Sequence, residues 1–288
     1  MGHMTCVLCG SSDSRVLFNH HKKWNMGKCL SCGLVQVMPM PSVKEIASLY
    51  HEDLEHFDPY VEQLSVHHAY FKKKVSEILN FVIPAKAGIH GRLLDIGCAM
   101  GVLLEEARDV GYRSVGIDLS ADAVKYCRSH RLTAYTGTVY TVKNLKELSF
   151  DVITAFQIIE HERDPLKMMR RVYKLLKKGG MVVLATPNQG GFWQKIMGKR
   201  WFGYRHPEHV VLLDFITMRK LLEKAGFTDI EIRSDSPRPF PLSFALSRAG
   251  DYFPWAAWIL KPLGKLLDRF KVVNPINPWD DMIVFARK

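Results

Sequence analysis

No apolar run in the 288 residues approaches the roughly 20 that a spanning helix needs, so no transmembrane helix is expected. The start carries no signal-peptide pattern, and the expected location is the cytoplasm. There is no internal repeat, no low-complexity tract and no dense charged tail, which sets aside solenoids and long disordered segments. Acidic residues are in deficit, 29 against 40 Lys and Arg, and the formal net charge is +11. That balance suits an anionic partner: nucleic acid, a membrane surface or a phosphorylated substrate. A basic, solvated surface with no partner explains it equally well. Cysteine is scarce, six in all, but four of them are organised.

Those four form Cys6-Val-Leu-Cys9-Gly10 and Cys29-Leu-Ser-Cys32-Gly33. In a reducing compartment such pairs read as metal ligands and not as disulfides. Each pair is followed by a glycine, where a tight turn is needed. Four thiolates satisfy tetrahedral zinc and leave no open position, so Cys6, Cys9, Cys29 and Cys32 are expected to hold a structural zinc in a ribbon over residues 5–44. Iron would suit the same donors. A module of about 40 residues cannot build a sufficient core, so the metal would contribute folding energy directly.

Residues 45–90 read as a helical connector. Ser42 caps its first helix, with Val43, Ile46, Ala47 and Tyr50 on one face. A second helix runs from about Tyr60 to Phe81, and Pro84–Gly91 is a loop. Over 91–288 strands alternate with helices, the pattern of a parallel sheet covered on both faces. The expected strands begin at Arg92, Ser114, Phe150, Met181, Thr228 and Asp281. The expected helices include Val102–Val110, with Leu103, Ala107 and Val110 inward and Gly111 as its stop. One follows a Ser120 cap, one runs from Asp164-Pro165 to Gly179-Gly180, and one runs from a Thr217 cap to Gly226.

Leu93-Leu94-Asp95-Ile96-Gly97-Cys98-Ala99-Met100-Gly101 is a hydrophobic strand ending in a small-residue turn, with a helix beginning at once. Small residues let a ligand lie against the backbone, and the helix start offers N–H groups. Asp118 ends the next strand, where a carboxylate can accept from both ribose hydroxyls of a nucleotide. A dehydrogenase would carry Gly-x-Gly-x-x-Gly. The form found here, Asp-x-Gly-x-Ala-x-Gly, resembles the first motif of class I S-adenosylmethionine-dependent methyltransferases. Phe150-Asp151-Val152-Ile153, Ile159-Glu160-His161, Asp164-Pro165, Thr186-Pro187-Asn188 and Leu221–Phe227 fit the same resemblance. It implies an α/β architecture: a Rossmann-like seven-stranded sheet with helices on both faces, beside the small zinc ribbon. It also implies that Asp95, Gly97, Ala99 and Gly101 line the methionine and ribose end of S-adenosylmethionine. Asp118, with Leu119 next to it, would hold the ribose. Thr138 stands where the family usually has an acid near the adenine amine.

Methyl transfer is a direct displacement, and the protein must align a nucleophile and often remove its proton. His161, Glu208 and His209 are the candidates for those roles. The Glu208-His209 pair resembles the Glu-His of ribbon-bearing sugar C-methyltransferases, in which the His acts as base. The ribbon with Pro39-Met40-Pro41-Ser42 and Leu49-Tyr50 is similar to the start of polysaccharide and secondary-metabolite methyltransferases. In ubiquinone-type O-methyltransferases the Glu-His after the fourth strand also helps hold a cation. Gln157 replaces a further acid here, so no metal is expected there.

The acceptor implied is a small molecule: a sugar, nucleotide-sugar, or glycan or secondary-metabolite intermediate, methylated at O or C. The alternative is RNA, because some rRNA guanine methyltransferases pair a zinc module with this fold. Two further segments are unusual. Gly190–His206 is basic and aromatic, suited to gripping phosphate or covering an apolar chain. Trp255, Trp258, Ile259, Leu263, Leu266 and Leu267 recur at helical spacing with Lys261, Lys265 and Arg269 between. That stripe suits packing over the active site, a homodimer contact or a peripheral membrane contact.

Overall fold

The computed structural model describes residues 5–21, 23–52, 64–82, 91–143, 145–236, 242–243, 246, 250, 254–268 and 280–288. The chain opens with strands β1 (Ser14–His21), β2 (Trp24–Cys29) and β3 (Val35–Met38). Helices α1 (Val43–Glu52) and α2 (Leu64–Val82) follow. Ser42 and Glu45 form a reciprocal cap at the start of α1, each side chain accepting from the other's N–H. Ile46 is buried, but Val43 is exposed and does not share its face as expected. The expected beginning of α2 at Tyr60 and the loop Pro84–His90 lie outside the described residues.

The main body then alternates β4 (Arg92–Ile96), α3 (Val102–Asp109), β5 (Arg113–Asp118), α4 (Ala121–Ser129), β6 (Ala134–Thr136) and β7 (Phe150–Phe156). It continues through α5 (Pro165–Leu175), β8 (Leu176–Pro187), α6 (Phe192–Met197), α7 (Phe202–Arg205) and β9 (Val211–Leu212). The last elements are α8 (Phe215–Ala225), β10 (Thr228–Ser234), α9 (Ala257–Asp268) and β11 (Asp281–Arg287).

Seven strands form one sheet in the order β10-β11-β8-β7-β4-β5-β6, and only β11 runs against the others. Successive residues of each central strand serve opposite faces, as a pleat requires. Leu94, Ile153, Val182, Leu184 and Val284 face α5, α8 and the N-terminal strands. Leu93, Val152, Val183, Ile283 and Phe285 face α2, α3 and α4. Both faces are therefore buried, which accounts for the near-continuous apolar strands. Lys74 and Tyr70 of α2 both hydrogen-bond the Asp235 carboxylate beyond β10, tying the helix to the far sheet edge.

Local chemistry sets most boundaries where the sequence places them. Ser120 accepts from Ala123 N–H, Asp164 accepts from Lys167 N–H ahead of Pro165, and Gly226 ends α8 in the left-handed region. Three further expectations need correction. Helix α5 stops at Leu175 and not at Gly179-Gly180, because Leu176 already pairs with Phe150 of β7. The cap of α8 is Asp214; Thr217 is its reciprocal partner three residues on. Val110 faces solvent at the end of α3.

The N-terminal strands are not a detached module. Strand β9 adds to them, giving a second sheet in the order β1-β2-β3-β9. Val37 N–H donates to the Val210 carbonyl (2.9 Å), and the Phe18 ring stands edge-on to Tyr204 at 5.0 Å. The ribbon thus shares one core with the main body, through Leu34, Val35, Val211 and Met218 among others.

Candidate active site

The turn after β4 is held by the neighbouring strand. Gly97 and Cys98 N–H both donate to the Ile117 carbonyl, at 2.8 and 3.1 Å. Asp118 receives Ala99 N–H at 2.9 Å on one oxygen and Ser120 N–H at 2.8 Å on the other. Cys127 closes the turn from below, its thiol donating to the Ala99 carbonyl at 3.2 Å. The turn needs left-handed backbone at Gly97 (φ 76), Ala99 (φ 43) and Gly101 (φ 77). Ala99 accepts that conformation with a side chain present, a strain typical of ligand sites. At Gly97 any side chain would also collide with the Ile158 side chain.

Asp95, Gly97, Ala99, Gly101 and Asp118 therefore lie together at the carboxyl ends of adjacent parallel strands, where such sheets bind ligands. Leu119 is 68% exposed beside Asp118, free to cover a flat ring. Thr138 lies just beyond β6; Gly137 N–H donates to the Asp118 carbonyl and Tyr140 N–H to the Thr138 hydroxyl. Asp95 is buried and accepts Thr154 Oγ1 at 2.6 Å. Burial pushes its carboxyl up to about 7, the Thr154 hydroxyl opposes that, and the nearby Asp118 charge adds to it.

Ile158 links this turn to the second group. It leads into a short turn, Ile159–His161, in which Glu160 is wholly buried and accepts Thr186 Oγ1 at 2.9 Å. Val210 N–H donates to the Glu160 carbonyl (2.9 Å), which brings the segment His206–His209 alongside. His161 and His209 then meet edge to face at 4.8 Å between ring centroids, and His206 and His209 at 4.9 Å. His161 and the Glu208-His209 pair, far apart in the chain, thus share one cluster.

His209 is buried, and its Nδ1 lies 2.9 Å from the Gly203 carbonyl. A carbonyl only accepts, so Nδ1 carries the proton and Nε2 keeps its lone pair. Burial, then the neighbouring His161 and His206, hold His209 well below its ordinary range, so it is a neutral imidazole at pH 7. Glu208 behaves oppositely. Burial opposes its charge, but the His206 contact at 3.0 Å outweighs that and holds the carboxyl down at about 2. The cluster thus joins a fixed anion to a neutral proton acceptor. Glu160, His161 and His209 bring metal-ligating atoms within 4.8 Å of one another, as do His206, Glu208 and His209.

Gln157, noted in the sequence only where a further acid is missing, is an additional candidate for the site. It follows β7 directly in the left-handed region (φ 57), and its buried side-chain Nε2 has no hydrogen-bond partner among the described residues. A strained residue with an unspent donor at a carboxyl strand end invites a ligand. Its position directly after a buried strand was the available signal. Within Gly190–His206, Lys195, Lys199, Arg200, Phe192 and Ile196 are exposed, whereas Trp201 and Tyr204 are buried. Those two aromatics pack inside, whereas the Phe192 ring stays at the surface.

The four ribbon cysteines gather as their spacing implies. Cys6 and Cys32 Sγ are 3.5 Å apart, and so are Cys9 and Cys29 Sγ. Tetrahedral zinc with bonds of ~2.3 Å needs sulfurs about 3.8 Å apart, so the thiols fit such an ion with little movement.

Comparisons with known proteins agree with this geometry. A family model described as "Methyltransferase domain" matches residues 66–232, more than half of the chain. The ubiquinone biosynthesis O-methyltransferase of Xanthomonas campestris pv. campestris (strain B100) is 35% identical over 114 residues, covering 37% of this chain and 48% of that protein. The protein of the same description from Vibrio parahaemolyticus serotype O3:K6 is 27% identical over 186 residues, covering 60% of this chain and 79% of the other. The chain spans about half the length of the first of these relatives. Among solved structures, a SAM-dependent methyltransferase from Archaeoglobus fulgidus superposes with a TM-score of 0.53 at 17% identity, covering 80% of this chain and 99% of its own. A possible histamine N-methyltransferase from Thermotoga maritima gives 0.55 at 14% identity, covering 84% and 99%. With the family model matching more than half of the chain and the structural likeness covering four-fifths of it, the chain belongs to the methyltransferase-domain family and has the class I S-adenosylmethionine-dependent fold.

Proposed function

We propose that the protein transfers the methyl group of S-adenosylmethionine to a small-molecule acceptor, with His209 as the base. The observation that carries this reading is the contact through Ile158: the strained turn at Gly97 and Ala99 abuts the segment bearing His161 and His209. The bound cofactor would supply the methyl group on sulfur. Asp118 and the N–H groups of the turn would hold its ribose and orient it, with Leu119 over the adenine and Thr138 at the adenine edge. Asp95, Gly101 and the Gln157 amide would face its amino-acid end.

His209 has the attributes of a base. Its tautomer is fixed by Gly203, its Nε2 is unprotonated at neutral pH, and Glu208 nearby would stabilise the imidazolium that forms. His161, packed on it, would position the acceptor or relay the proton. The relatives named above act in ubiquinone biosynthesis, which favours a small-molecule acceptor over RNA and transfer to oxygen. A sugar, nucleotide-sugar or related metabolite suits the exposed Lys195, Lys199 and Arg200, which could grip phosphate.

We read the four cysteines as a structural zinc site. A closed four-sulfur set offers no position for substrate. Its contribution to the reaction would be mechanical: β3 pairs with β9, directly after the His206–His209 segment.

The test is turnover with methyl-labelled cofactor against a panel of hydroxyl-bearing acceptors, nucleotide-sugars and phenols included. His209→Ala should reduce turnover by roughly 10²–10⁴-fold and leave affinity for S-adenosylhomocysteine unchanged. Full activity in that variant would remove His209 as base. Retention of a second zinc equivalent, lost in the variant, would make His209 a ligand instead.

A further inference from the structure

Helix α9 reverses the usual arrangement of a surface helix. Its small residues face the protein: Ala256 just before it and Gly264 within it are buried, and Gly264 lies against the Ser243 backbone. Its large apolar residues face outward. Trp255 is 76% exposed and Trp258 75%, and Ile259, Leu263 and Leu266 are exposed with them. These positions follow the i, i+3, i+4, i+8, i+11 spacing of one helical face. The stripe therefore does not pack over the active site, one of the roles expected for it. A contiguous exposed apolar face of this kind marks an interaction surface.

Three observations bear on its occupant. With 12 residues the helix is too short to cross a bilayer, and no described helix is long and apolar enough to do so. Lys265, exposed, lies on the same element, and residues 237–279 carry six basic side chains against two acidic ones, Asp251 and Asp268. Two tryptophans occupy the exposed face, the residue type that settles where apolar and polar media meet. A second copy of the chain is a poor fit, because a symmetric contact would set each lysine-bearing face against itself.

We propose that α9 docks the enzyme on an anionic phospholipid surface, lying in the plane of the interface. Trp258, Ile259, Leu263 and Leu266 enter the acyl boundary, and Lys265 reaches back to the head groups. The charge excess of the flanking segment supplies the attraction to anionic lipid. This placement gives the enzyme access to acceptors held at a membrane, and it stands whether or not His209 is the base.

The experiment is co-sedimentation of the full chain with phosphatidylcholine vesicles, with and without phosphatidylglycerol. Partition onto the anionic vesicles should exceed that onto neutral ones by about ten-fold or more and decline with salt. Trp258→Ala with Leu266→Ala should lower it by at least about ten-fold, and Lys265→Glu by about ten-fold. All variants should keep the parent's affinity for S-adenosylhomocysteine, which shows that they are folded. Absence of vesicle binding, or equal binding by parent and variants, would overturn the proposal. So would a dimer that the double substitution dissociates while the parent ignores vesicles, since a second copy would then cover the face.

Discussion

Replacing Asp118 by Ala strips the cofactor turn of a shared acceptor. Two backbone N–H groups, Ala99 at 2.9 Å and Ser120 at 2.8 Å, lose a charged partner at once. Hydrogen bonds to a charged group are worth about 1.5–3 kcal/mol each, and Asp118 is half-buried, so the lower end applies. The stability loss is then about 3 kcal/mol. The two ribose hydroxyls would each lose a comparable bond, about 3 kcal/mol together, which is about 150-fold in affinity. Asn is an informative control, because its single carbonyl oxygen can satisfy Ala99 or Ser120 but not both. Its NH2 would face the other N–H. Asp118→Asn should therefore bind S-adenosylhomocysteine at least about ten-fold more weakly than the parent. Calorimetric titration gives the affinities, and urea denaturation of the same samples gives the stabilities. Parent-like affinity in a folded Asp118→Ala protein would refute the assignment of this turn as the cofactor site.

Gly97→Ala should cost roughly 1–3 kcal/mol in denaturation, from the positive φ and the encounter with Ile158, and should weaken cofactor binding as well. A neutral outcome would mean that the turn is not held as described. Asp95→Asn tests the buried acid. Because burial raises the folded-state value from 3.8 to about 7, the Asp95 contribution is full below 3.8 and is lost progressively as pH rises to about 7. The Asn variant, which can still accept from Thr154, should gain about 2 kcal/mol on the parent between pH 5.5 and 7. A stability difference constant across that window would contradict this. Stripping the ribbon metal with a chelator should raise amide exchange over Val210–Leu213 by about ten-fold or more and abolish turnover with it. Unchanged exchange after complete metal loss would uncouple the ribbon from the site.

The parts legible in the sequence are those set by local chemistry. The run from Leu93 to Gly101 announces a strand, a small-residue turn and a helix start, and the structure has all three. Ser120, Asp164-Pro165, Gly111 and Gly226 bound helices because capping depends on a few adjacent residues. What stayed hidden depends on distant partners. Val211 and Leu212 look like any apolar pair, and only their register with Gln36 and Val35 makes them a fourth strand of the ribbon sheet. Thr217 and Asp214 both have cap-forming side chains, and their reciprocal bonds decide which is the cap. His161 and His209 are separately visible, but their contact follows from Val210 donating to Glu160 across 50 residues. The outward turn of Trp255 and Trp258 could not be read from periodicity, which gives a face but not its direction.

The most direct test of the account is calorimetric titration of the intact chain with S-adenosylmethionine. Binding in the micromolar range at one ligand per chain is the expected result. A folded sample that gives no heat of binding would contradict the claim that the turn at Gly97 and Asp118 is a cofactor site.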